Sequence, residues 1–206
     1  MISENHEEVN KAVEILKKGG IVLYPTDTVY ALAVDATNRE AISKLKILKG
    51  RDENKPISVV VSDIKMAELY VEVNEIGKKL AEKFLPGALT IIFEKKDNVL
   101  DELVGGERTL GIRIPNNKFC LELAQVFGKP YTATSANISN METKNSVPEI
   151  LEQFGRNVSL IDYVVDAGKL GGGKPSTIVD VHEGEIKILR EGAIDSGQIL
   201  EIFTKN

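Results

Sequence analysis

Four short polar segments interrupt apolar runs in this chain, and each carries side chains able to hold an anion or a hydroxyl. They are PTDT at 25–28, KGRDENKP at 49–56, TATSAN at 132–137 and GGGKPST at 171–177. Each lies at the end of an expected strand, where sheet proteins present their sites. Lys49, Arg51 and Lys55 place three cations within seven residues, just after an expected helix. Two readings stand side by side. Such charges complement a helix C-terminus and a solvated turn, or they form an electropositive cup for a polyphosphate, since Arg and Lys give charge-assisted bonds to phosphate oxygens. Pro56 fixes the turn and sends the chain into the next strand.

Thr134, Ser135 and Asn137 offer small donors and acceptors suited to a phosphate or sugar hydroxyl, and equally to a strand-to-helix cap. Arg113 sits inside the otherwise apolar run LGIRIP. A buried guanidinium is costly without an anionic partner, so it calls for an internal ion pair or a bound carboxylate.

Other chemistries are excluded by count and spacing. GGGK at 171–174 is followed by Pro175 and lacks the phosphate-loop spacing, so it reads as a flexible hairpin or flap. His6 and His182 are the only histidines and Cys120 the only cysteine, which supports neither a zinc site nor a Cys–His pair. No G-x-S-x-G or G-x-G-x-x-G motif occurs.

The elements that must position these residues follow from periodicity. Val9, Val13 and Leu16 mark a helix that Gly19-Gly20 would close. Further helices are expected at 39–49 (capped by Asn38), 74–84, 117–127, 146–154 and 196–203. Strands are expected at 21–24, 29–34, 56–61 (PISVVV), 89–94, 109–114, 130–137 (PYTATSAN), 162–165, 176–182 and 185–190. This alternation predicts an α/β fold, a twisted mixed β-sheet flanked by helices, in one domain spanning 1–206.

With 206 residues, 42% hydrophobic and 28% charged, the composition is that of a soluble globular protein. The net charge of −5 speaks against a surface coated for nonspecific nucleic-acid or membrane binding, while allowing a local basic pocket. One cysteine, no signal-peptide pattern and no apolar run of membrane-spanning length lead us to expect a cytoplasmic protein without a membrane partner.

In order along the chain, YPTDTVYALAVDATN, KGRDENKPIS, PGALTIIF, GIRIP, TSANIS, PSTIVDV and ILREG resemble the signatures of the YrdC-like family, the threonylcarbamoyl-adenylate synthases. The resemblance implies a twisted α/β fold with a concave basic site, and a nucleotidyl transfer joining L-threonine, bicarbonate and ATP with release of pyrophosphate. It implies Mg2+ arriving with ATP, a downstream tRNA threonylcarbamoyl transferase acting at tRNA position 37, and contact with tRNA or double-stranded RNA. By position, Thr28, Arg113, Ala133 and Ser176 would bind threonine, with Arg113 on its carboxylate. Lys49, Arg51, Lys55, Thr109, Ser135, Thr143 and Arg190 would line the ATP site, with Lys49 and Arg51 in the catalytic role. The chemistry fits, since joining an amine to bicarbonate and the carbamate to the α-phosphorus needs positioning and charge stabilisation rather than a protein nucleophile.

Three departures from the family pattern stand out. Ala31 and Ala33 replace glycines, so their methyl groups are expected to narrow the site. Val60 stands where many members carry histidine, and the chain stops at Asn206, without the extra C-terminal domain of longer members. The alanines also resemble the YciO-like branch, which gives the alternative reading of a nucleotide- or RNA-binding member without robust synthase activity. A third reading, a carbamoyl-transfer domain of the hydrogenase-maturation type, is weakened because no companion domain is expected within these 206 residues.

Overall fold

Asparagines set the starts of three helices, and the sheet ends between them carry the polar segments. The structure, a computed structural model, describes residues 4–171 and 173–204. Helix α1 (Glu4–Lys17) leads to β1 (Val22–Tyr24) and β2 (Ala31–Ala33), which pair antiparallel around the PTDT turn. Helix α2 (Arg39–Lys49) begins where the Asn38 side chain accepts the Ala41 N–H. It ends at Gly50, whose φ of 55° is the left-handed conformation that closes a helix and turns the chain into the cationic loop. Strand β3 (Val59–Val60), the short α3 (Ile64–Ala67) and β4 (Val71–Glu72) follow.

Helix α4 (Glu75–Phe84), capped by Asn74, stops before a cis Leu85–Pro86 bond, and β5 (Leu89–Lys95), α5 (Asp101–Val104) and β6 (Thr109–Arg113) come next. Helix α6 (Lys118–Phe127) is capped by Asn117 and precedes β7 (Tyr131–Thr132) and β8 (Thr134–Ser135). Helix α7 (Val147–Phe154), β9 (Tyr163–Val164), β10 (Thr177–Asp180), β11 (Lys187–Arg190) and α8 (Ser196–Thr204) complete the order.

The strands form two sheets. One has the order β8-β2-β1-β9, the other β11-β10-β5-β6-β3-β7 with β4 added on β5. Both mix parallel and antiparallel pairs, as expected for a mixed α/β fold. Two apolar cores serve them. The larger holds Leu23, Leu32, Leu45, Ile91, Phe93 and Ile112; the smaller holds Val13, Leu16, Tyr24, Phe119 and Tyr131 beneath α1 and α6.

Three expectations are corrected. PYTATSAN is two strands rather than one: Thr132 pairs with Val59 in the larger sheet, whereas Thr134 pairs with Leu32 in the smaller. Ala133 is the joint, its N–H held by Ser58 O at 2.7 Å. Within PISVVV only Val59 and Val60 pair as strand, and Ile57 donates instead to Leu103 O. The methyls of Ala31 and Ala33 lie in the smaller core, packed among residues such as Val9 and Phe119, and neither lines the site cavity. Val60 is buried in the same core. The short α3, β4 and α5 were not expected, being too brief for periodicity to register. At 171–174 the described residues form an unpaired loop, and Gly172 lies outside them.

Candidate active site

The PTDT turn satisfies its own polar groups. Thr26 Oγ1 accepts the N–H groups of Thr28 (3.0 Å) and Val29 (3.2 Å) and donates to Val29 O at 2.6 Å. This side-chain cap lets a polar turn sit buried between two apolar strands. It also places the Thr28 hydroxyl 3.0 Å from Thr26 Oγ1.

Arg113 comes to that hydroxyl from the end of β6. Its Nη2 donates to Thr28 Oγ1 at 2.8 Å and to Asp27 Oδ1 at 2.6 Å. Arg113 is only 6% exposed, so its charge needs the Asp27 carboxylate close by. Nε is buried without a hydrogen-bond partner among the described residues.

The cationic segment divides by role. Lys49, at the end of α2, is 1% exposed, and its Nζ donates to the main-chain carbonyls of Ser135 and of Asn137, the latter at 2.6 Å. Burial, with help from the neighbouring Arg51 and Lys55 charges, pulls its pKa down to about 7. Arg51 donates to Lys55 O (3.3 Å) and Pro56 O (2.6 Å), shaping the loop that carries Lys55. Across the cavity Arg190 donates to Ser176 O through Nε (3.1 Å) and Nη2 (2.8 Å). Ser176 Oγ in turn lies 2.9 Å from Thr90 Oγ1, with both residues buried.

One cavity of about 500 Å³ collects all of the expected residues: Thr28 and Arg113, the three cations of the loop, Thr109, then Ala133, Ser135, Thr143, Ser176 and Arg190. Its wall carries Lys49, Arg51, Lys55, Arg113 and Arg190 and, among the described residues, no Asp or Glu. A net-acidic chain thus gathers a strongly positive concave surface, suited to a polyanion. Two residues outside the expected set matter. Thr90, a hydroxyl within the apolar run ALTIIF, stands out by the same signal that exposed Arg113; Asp27 is quoted in the motif, but its partner lies far along the chain. Cys120 is no nucleophile: burial pushes its thiol up to about 12, and its Sγ rests 3.4 Å from Pro25 O. Among the described residues no cluster of His, Cys, Asp or Glu could hold a resident metal, and no helix is long and apolar enough to cross a membrane.

The family model described as "Telomere recombination", for Sua5, YciO and YrdC proteins, matches residues 14–192. The chain belongs to the Sua5/YciO/YrdC family. A Methanocaldococcus jannaschii member, provisionally named a threonylcarbamoyl-AMP synthase, is 42% identical over 194 residues, covering 92% of this chain and 90% of that protein. The structure of Pyrococcus abyssi Sua5 complexed with L-threonine superposes with a TM-score of 0.88 at 29% identity, covering 94% of this chain and 56% of that one. This chain therefore spans little more than half of that family member. Escherichia coli YciO superposes with a TM-score of 0.81 at 28% identity, covering 91% of this chain and 90% of its own.

Proposed function

We propose that this chain is an L-threonylcarbamoyl-AMP synthase. The observation that carries the reading is one cavity with five cations and, among the described residues, no carboxylate on its wall, in which an arginine meets a threonine hydroxyl. The Sua5/YciO/YrdC likeness supports it. Arg113 and Thr28 would take the carboxylate end of L-threonine, with Ser176 and the Ala133 backbone beside them. Arg51, Lys55, Thr109, Ser135, Thr143 and Arg190 would hold ATP. Lys49 would act on the phosphates through its charge, since its ammonium is tied to main-chain carbonyls. Because the wall offers no acidic ligand, Mg2+ would enter as the counter-ion of the nucleotide.

The reaction balances without a protein nucleophile. The threonine amine adds to bicarbonate with loss of water, giving a carbamate. A carbamate oxygen then attacks the α-phosphorus, the bond to the β-phosphate oxygen breaks, and pyrophosphate leaves. The cations oppose charge building on the leaving group, while the threonine pocket fixes the attacking carbamate. The mixed anhydride would pass, in the cytoplasm, to a transferase acting on tRNA.

The test is pyrophosphate release by the purified protein. Release that requires L-threonine and bicarbonate together supports the reading, and folded protein that releases none under saturating substrates sinks it. Salt-sensitive tRNA binding without turnover would favour the nucleotide- or RNA-binding alternative instead.

A further inference from the structure

Asp27 does not itself line the cavity, yet it is held at both carboxylate oxygens. Oδ1 accepts from Arg113 Nη2 at 2.6 Å, and Oδ2 accepts the Asn116 N–H at 3.1 Å. The carboxylate thus joins three separate pieces of chain: the PTDT turn, the end of β6 and the turn leading into α6.

A guanidinium has five N–H donors. Arg113 commits both Nη2 protons to the protein, one to Asp27 and one to Thr28. Each two-nitrogen edge of the guanidinium that could grip a carboxylate in a fork includes Nη2, so neither edge is open. Nε is sealed from solvent with no acceptor, a pose that a freely turning guanidinium would abandon, because an unpaired buried N–H costs about 1–3 kcal/mol. Asp27 and Thr28 hold it there. What remains for a ligand is Nη1, which makes no hydrogen bond to the described residues and belongs to a residue lining the cavity.

We propose that Asp27 is a positioning residue that locks the Arg113 guanidinium, so that Nη1 alone meets the carboxylate of the amino-acid substrate. This rests on the synthase reading for the identity of the ligand, but the lock itself does not. Asp27 acts through Arg113 and contributes no proton or bond to the reaction. An amide at this position keeps the shape but loses the charge, and it must present an N–H to either Arg113 or the Asn116 N–H.

The experiment pairs steady-state kinetics with side-chain NMR on wild type and Asp27→Asn. In turnover we expect the KM for L-threonine to rise at least tenfold, with the KM for ATP and kcat within threefold of wild type. An unchanged or lower threonine KM overturns the proposal; a lower one would mean that Asp27 competes with the substrate. In wild type the two Nη2 protons of Arg113 should give separate, slowly exchanging signals that merge on Asp27→Asn. Signals that stay separate overturn the lock. Absence of turnover in wild type counts against the synthase reading, while the NMR comparison still decides the lock. A dispersed amide spectrum checks that Asp27→Asn is folded, and Asp27→Ser replaces it if it is not.

Discussion

Lys49 Nζ lies 2.6 Å from the main-chain carbonyl of Asn137, so the terminal charge of α2 is fastened to the loop after β8. A further approach to Asn137 Oδ1 at 3.4 Å and the bond to Ser135 O surround the ammonium with oxygen. The helix end and the TSAN loop, two walls of the cavity, are thereby one unit.

That burial makes Lys49 a proton-uptake site. Its folded pKa of about 7 lies below the ordinary lysine value, so the unfolded chain binds a proton that the folded chain releases as pH rises above 7. This group therefore adds stability with rising pH between about 7 and 10.4. A polyanion in the cavity offsets the repulsion from Arg51 and Lys55 and raises the pKa again. Calorimetry of ATP binding at pH 8 in buffers of different ionisation heat should show net uptake of a fraction of one proton, vanishing below pH 6. No uptake at pH 8 contradicts this account.

Arg51→Ala and Lys55→Ala separate loop shape from charge. Arg51 holds two loop carbonyls as well as facing the cavity, so its loss should reduce pyrophosphate release more than loss of Lys55. A charge-assisted hydrogen bond of about 1.5–3 kcal/mol corresponds to a roughly 10- to 100-fold fall for Lys55→Ala. Kinetics showing Lys55 to be the more damaging substitution would reverse these roles.

Ala31→Gly and Ala33→Gly should leave kinetics alone and weaken the fold. Each removes a methyl from the smaller core, about 0.8 kcal/mol, and adds a glycine entropy cost of about 0.5–1 kcal/mol. Denaturant unfolding should show a loss of about 1–2 kcal/mol per site, with kcat and both KM values within twofold. A large kinetic gain would mean that these methyls reach the substrate.

Thr90→Val removes the hydroxyl that meets Ser176 and keeps the shape. The threonine KM should rise about three- to tenfold, in line with one neutral hydrogen bond of about 1 kcal/mol, and Thr90→Ser should restore it. Equal behaviour of Val and Ser at this position would show that the hydroxyl pair has no part in binding.

Much of the frame was legible because its signals are local. Asn38 caps its helix as expected, the helices expected at 74–84 and 117–127 start one residue later behind caps from Asn74 and Asn117, and the apolar runs at 89–94 and 109–114 became the central pair β5 and β6. Thr28, Lys49, Arg51, Lys55, Arg113, Ser135 and Ser176 were legible as polar breaks in or beside apolar runs, whereas Thr109, Thr143 and Arg190 came only from the family resemblance. What escaped depends on contacts distant in sequence. Asp27 finds Arg113 eighty-six positions away, and no local pattern reveals that bond. The face taken by Ala31 and Ala33 is set by α1 and α6 packing behind β2, so alternation could say that they share a face but not which one. PYTATSAN read as continuous because a change of sheet leaves no mark on composition.

That change of sheet has a mechanical meaning. Thr132 pairs with Val59 of the larger sheet, while its N–H and hydroxyl also bond Val34 O and Leu32 O beside the smaller. Thr134 pairs within the smaller, and the cavity draws Thr28 and Ser135 from the smaller sheet's side and Thr109 and Ser176 from the larger's. The two sides of the cavity are therefore joined through one short stretch of chain, whose central peptide is pinned to Ser58. Substitutions around residue 133 would act on both sides of the cavity together, like a change in the set of a pair of jaws.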